Sequence, residues 1–177
     1  AAAGRAQPAP RCRPATVPIA TPMAQEIERK FLVRDHRWRD QADAGEQLVQ
    51  GYLVSSSALT VRVRIRARTA WLTLKGASVG ISRSEFEYPI PLADAEAMLA
   101  EFALGPVIDK VRHRVPCGEH LWEVDVFAGE NAGLVLAEIE LTRPDEHFEH
   151  PPWVGSEVSA DPRYYNVNLA RHPYRRW

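Results

Sequence analysis

Between residues 25 and 141, apolar and polar side chains alternate with a period of two, the signature of strands that bury one face. QEIERKFLV (25–33) predicts a first strand, a turn or short helix follows over 35–44, and EQLVQGYLV (46–54) predicts a second. LTVRVRIRAR (59–68) is the clearest strand, with Val61, Val63 and Ile65 on one face and Arg62, Arg64 and Arg66 on the other. AWLTLKG (70–76) and ISRSEFEYPI (81–90) continue the series. The period then becomes helical in LADAEAMLAEFAL (92–104), where Leu92, Ala95, Met98, Leu99 and Phe102 share a side and Gly105-Pro106 ends the run. Strands resume over 107–115, 120–128 and 134–142, separated by a Pro-Cys-Gly-Glu turn and a GENAG turn.

Eight strands joined by short links predict a mainly β (α+β) fold, an antiparallel meander with peripheral helices; a βαβ fold needs a helix after nearly every strand. Beyond Arg143-Pro144 the pattern loosens. Residues 151–159 read as a loop or isolated bridge, and 161–173 as a short helix with Asp161 as N-cap, Pro162 at its first position, and Tyr164, Tyr165 and Leu169 on a docking face.

Parity sorts the strands into two faces. One collects Glu26, Glu28 and Lys30; Arg62, Arg64 and Arg66; Thr73 and Lys75; Arg83, Glu85 and Glu87; Lys110, Arg112 and Arg114; Glu123 and Asp125; Glu138 and Glu140. The other is apolar, from Ile27 through Trp122 to Leu141. A wet sheet face with cross-strand ion pairs accounts for any one strand. Strand after strand, however, places like charges at i and i+2, which repel unless a counter-charge or ligand lies between them. If the sheet curls into a closed barrel, these charges line a tunnel, and the apolar exterior needs cover from the helix at 92–104, the C-terminal segment or a second subunit.

The chain has 177 residues, 45% hydrophobic, enough for one domain, expected over 23–177 behind an Ala/Pro-rich segment (1–22) read as a disordered tail or upstream-start artefact. A net charge of -1 supplies no global field for nucleic acid or an acidic membrane, and no run approaches the roughly 18 apolar residues of a bilayer span. Two cysteines in unlike contexts suggest neither a metal pair nor a disulfide framework, so a reducing cytoplasm is the expected location. The six histidines do not fall in zinc spacing. Clustered Arg and Lys suit several phosphoryl groups, and acids beside them make sense with a bridging hard cation such as Mg²⁺ or Mn²⁺.

EIERKFLV (26–33), with its Glu-x-Glu-x-Lys, resembles the N-terminal signature of the CYTH superfamily, the triphosphate tunnel metalloenzymes. The resemblance continues in order through QGYL (50–53), VRVR (61–64), LTLKG (72–76), EFEYPI (85–90), DKVRHRV (109–115), WEVDVF (122–127), AEIEL (137–141) and GSEVSADPRYYNVNLA (155–170), and is greatest to the compact bacterial single-domain branch. It implies an eight-stranded tunnel that hydrolyses a triphosphate with Mg²⁺ or Mn²⁺. Glu26, Glu28, Asp125, Glu138 and Glu140 match metal-side acids, with Glu138 and Glu140 the stronger pair. Lys30, Arg62, Arg64, Lys75, Lys110 and Arg112 match phosphate-binding positions. Lys30, Glu85 and Glu87 are the catalytic candidates, the two acids as water-orienting groups.

Inorganic tripolyphosphate is the expected substrate. Thiamine triphosphate or a nucleoside triphosphate, adenylate cyclisation, and non-catalytic polyphosphate binding are the alternatives. Trp71 and Trp122 read as packing residues, and a homodimer is compatible with an apolar exterior.

Overall fold

The structure, a computed structural model, describes residues 27–77 and 84–177. Glu26 and Arg83 therefore lie outside the described residues, as does the whole 1–22 segment.

Nine strands form one antiparallel sheet: β1 (Ile27–Val33), β2 (Glu46–Ser55), β3 (Leu59–Arg66), β4 (Thr69–Gly76), β5 (Glu85–Ile90), β6 (Ile108–Cys117), β7 (His120–Phe127), β8 (Val135–Leu141) and β9 (Val154–Glu157). Their order is β5-β4-β3-β2-β6-β7-β8-β1-β9. Among the described residues the edges β5 and β9 are not hydrogen-bonded to each other, so the sheet, expected as a closed barrel or tunnel of eight strands, has nine and is not closed by hydrogen bonds.

The ninth strand comes from the stretch read as a loop or isolated bridge. Its four residues carry little periodic signal, and it exists by pairing with the edge of β1, Val154 against Val33 and Glu157 against Phe31. The β3–β4 hairpin turns on Ala67 and Arg68, with Ala67 at φ 50, so β3 ends at Arg66 and not at residue 68. Pro116 and Cys117 belong to β6, and its turn into β7 is carried by Gly118 at φ 57 and Glu119.

Helix α1 (Leu92–Phe102) lies on the outer face of β2, β3 and β4, where Ala95 and Leu99 pack with Val63 and Ala70. Gly51 makes that contact close, since a Cβ there would stand 2.6 Å from Leu99 Cδ2. The outer face of β1, β7 and β8 is covered instead by Trp38, from a 3-10 turn at Arg37–Asp40, and by Phe148 and Trp153. Phe31, Trp122 and Phe148 meet edge to face there.

Beyond β9 the chain turns to the other face of the sheet. It breaks into a 3-10 turn, Pro162–Tyr164, capped by Asp161, and a helix α2 (Asn166–Arg171). Asp161 and Pro162 thus start the turn, not the helix. Tyr165 points away, its hydroxyl donating to the Ser159 carbonyl, while Leu169 is buried among Ile108, Phe127 and Leu136. Phe127 and Leu136 share the charged face through their partners Lys110 and Asp125, as does Tyr52 through Arg62. Helix α2 therefore closes one end of the charged face with an apolar plug. Leu32 of β1 and Tyr52 of β2 both pack on it although three strands separate them in the sheet, which shows that this half is curled.

Candidate active site

Strands β1 and β8 set the acid row. Glu28 stands opposite Glu140 and Lys30 opposite Glu138, so all four project to one face. The Lys30 ammonium donates to Glu28 Oε1 at 2.8 Å and to Glu138 Oε1. Its side chain is 11% exposed, a position tolerable for a charge only because two carboxylates meet it. Withdrawal from water and the adjacent Glu138 charge push the Glu28 carboxyl up to about 7. Burial acts the same way on Glu138, yet the charges of Lys110, Lys30 and Arg112 overcome it and hold that carboxyl well below the usual range. Glu140 is exposed and accepts no hydrogen bond among the described residues.

The middle of the wall is an ionic cluster on β6 and β7. Arg112 donates from Nε to Asp125 Oδ1 and from Nη2 to Asp125 Oδ2, both at 2.7 Å; it also reaches Glu138 Oε2 at 2.5 Å and Glu123. Lys110 pairs with Asp125 beneath it. These carboxylates raise Arg112 above its ordinary value against the effect of burial.

Strands β3, β4 and β5 carry the less compensated bases. Arg64 Nη2 lies 3.2 Å from Glu87 Oε2 and Arg62 Nη2 3.6 Å from the same oxygen, so two guanidiniums share one acid. Both Nε atoms are buried and, among the described residues, without a hydrogen-bond partner. Burial and the neighbouring Arg62, Arg112 and Arg66 charges lower Arg64, with only Glu87 opposing them. Lys75 pairs with Glu85 at 2.7 Å, and the Thr73 hydroxyl donates to Glu87 at 2.7 Å. A region with surplus guanidinium donors therefore faces a region with surplus carboxylates.

Of the sequence-predicted residues, Lys30, Glu28, Glu138, Arg112, Asp125 and Lys110 form one connected network, and Arg62, Arg64 and Glu87 a second beside it. Sequence reasoning did not single out Gln50, buried on the same face between Arg64 and Ile108, nor Glu46, which receives Arg66 Nε at 2.5 Å. Parity within β2 was the available signal for both. Trp71, read as packing, lies on the charged face in register with Arg64, whose guanidinium is 5.9 Å from its ring. Trp122 is core, as expected.

Among the described residues no three His, Cys, Asp or Glu side chains stand close enough together to hold a metal ion in their present rotamers. The donor chemistry nevertheless fits a hard divalent cation. Glu28 and Glu140 oppose each other directly, Glu138 is one register step away, and the crowding that drives Glu28 toward its neutral form is what a cation relieves.

A concave antiparallel wall with ionic lining and an apolar plug at one end belongs to the class of charged β-tunnel proteins suited to polyanions, since its guanidinium and ammonium groups outnumber its apolar side chains outside the plug. The comparisons place the chain more narrowly. A family profile described as CYTH domain matches residues 24–174, and the chain belongs to that family. An inorganic triphosphatase of Acetivibrio thermocellus is 46% identical over 155 residues, 86% of this chain and 97% of the relative. One from Nitrosomonas europaea is 39% identical over 150 residues, 82% of this chain and 96% of that protein. The crystal structure of the inorganic triphosphatase NE1496 superposes with a TM-score of 0.66 at 35% identity, covering 85% of this chain and 97% of that one.

Proposed function

We propose that the protein hydrolyses inorganic tripolyphosphate to pyrophosphate and phosphate with Mg²⁺ or Mn²⁺ bound. One observation carries this reading: the under-compensated Arg62 and Arg64, with orphaned Nε donors, line the same concave face as the acid row of Glu28, Glu138 and Glu140. The two triphosphatase relatives, matched over nearly their whole lengths, support it.

Glu28, Glu138 and Glu140, joined by Glu26, would hold the cation, which when bound offsets the charge of phosphoryl oxygens. Arg62 and Arg64 offer paired N–H donors to the chain of phosphates, with Lys75 and Lys30 as point charges at its flanks. Arg112 adds a guanidinium from the opposite side. Glu85 and Glu87, held by Lys75 and by Thr73 and Arg64, orient the attacking water. Water adds to a terminal phosphorus, the bond from that phosphorus to the bridging oxygen breaks, and the electron pair leaves on pyrophosphate. Positioning and charge stabilisation supply the catalysis, because phosphoryl transfer asks little covalent chemistry of the protein.

The test is a side-by-side assay of tripolyphosphate, thiamine triphosphate and ATP with Mg²⁺, Mn²⁺ or chelator. Preferred turnover of tripolyphosphate that chelator abolishes is expected. Equal or faster use of ATP with release of cyclic AMP overturns it in favour of a cyclase, and tight tripolyphosphate binding without turnover of any triphosphate makes the protein a binding module.

A further inference from the structure

Asp125 differs from every other acid of the charged face. Its side chain is 0% exposed, and Lys110 beside it 3%. Three donors occupy its two oxygens: Arg112 Nε on Oδ1, Arg112 Nη2 and the Lys110 ammonium on Oδ2. Both oxygens of this buried carboxylate are thus already committed to donors of its own wall. Lys110 is held equally deep, its ammonium 5.3 Å from the Phe127 ring at the apolar plug.

We propose that Asp125 is a positioning residue: with Lys110 it forms a buried ionic floor that clamps the Nε and Nη2 edge of Arg112 and so fixes where its guanidinium stands in the tunnel wall. This deepens, and rests on, the triphosphate reading of the site. A carboxylate receiving Nε and Nη2 together fixes both the plane and the rotation of a guanidinium. Arg112 meets two further acids at the same time, Glu123 through Nη1 and Glu138 through the Nη2 it shares with Asp125. Released from Asp125, the guanidinium keeps those two contacts but loses the bidentate hold that fixes its plane, while Lys110 becomes a buried cation without its partner. Lys110 then acts on substrate only through Asp125, so their effects do not add.

The experiment compares the full chain with D125N, K110M and K110M/D125N by thermal melting, calorimetric Mn²⁺ binding and kinetics. D125N is expected to raise KM for tripolyphosphate about tenfold with kcat within about threefold, and to leave Mn²⁺ affinity within about threefold of wild type. The double variant should melt above D125N, because it removes one buried charge of each sign, and should match D125N in KM. Tenfold weaker Mn²⁺ binding in D125N overturns the proposal by making Asp125 a metal ligand. An unchanged KM overturns it by leaving Asp125 a stabilising role alone, and losses that sum in the double variant overturn it by giving each residue its own ligand. If D125N does not fold, K110M/D125N carries the same KM and Mn²⁺ criteria. If the wild type hydrolyses no triphosphate, the hydrolase reading fails separately, and the tripolyphosphate dissociation constant replaces KM against the same thresholds.

Discussion

Lys30 and Glu138 face each other across the β1–β8 ladder, and the Lys30 ammonium is shared between Glu138 and its own strand neighbour Glu28. One base thus holds together two acids whose charges oppose each other. Through Glu138 the arrangement joins the acids of β1 and β8 to Arg112 on β6.

If the proposed function holds, Glu28→Gln is expected to lower kcat by at least about 100-fold, since the proposal makes Glu28 a cation ligand in a reaction that depends on charge neutralisation. The fold should survive, because the Glu28 carboxyl is already shifted toward its neutral form and glutamine keeps its shape. Turnover assays and a melting curve check both halves. Retention of full activity would defeat the assignment of Glu28 to the metal.

Arg64→Ala is expected to raise KM by about tenfold or more while kcat falls less, the behaviour of a group that binds phosphate in ground and transition states alike. Its loss also leaves Glu87 with Arg62 and Thr73 as partners, so stability should change little. A kcat loss at constant KM contradicts this role.

Glu157 ties β9 to β1 by accepting Arg29 and, at 2.7 Å, the Ser159 hydroxyl. Arg29 first, then Ser159, hold its carboxyl down to about 2 against burial, below the ordinary 4.5 of an unfolded chain. A lowered folded-state value contributes stability above pH 4.5 that disappears as pH falls toward 2. Glu157→Gln should therefore melt below wild type at pH 6 to 7 and converge with it near pH 2. A gap that persists at pH 2 argues against a titrating contribution.

Leu169→Ala should destabilise the protein by about 2–5 kcal/mol, the usual cost of emptying a buried leucine site. Leu169 is 0% exposed at the centre of the plug. Urea unfolding measures the loss, and a change below about 1 kcal/mol would mean that α2 contributes little to closing the tunnel end.

Strands β2, β3, β4 and β7 were legible because alternation in a half-buried strand is imposed residue by residue. The same parity put Arg62, Arg64, Glu28 and Glu138 on one face before any coordinate was known. Strand β9 was illegible because its partner is the β1 edge and nothing in four residues encodes that pairing. Helix α2 was displaced for a related reason: Asp161 and Pro162 are start signals, but the local bonds they form complete a 3-10 turn, and tertiary burial of Leu169 decides where the helix runs.

The sequence by itself determined which side chains share a face, because a strand's period of two leaves no freedom in that choice. It could not determine which of those charges neutralise one another. That Arg112 is clamped by Asp125 depends on the register between β6 and β7, and that Arg62 and Arg64 share a single acid depends on side chains reaching across β4 to Glu87. Coulomb energy varies with separation and burial, and both are properties of the folded wall alone.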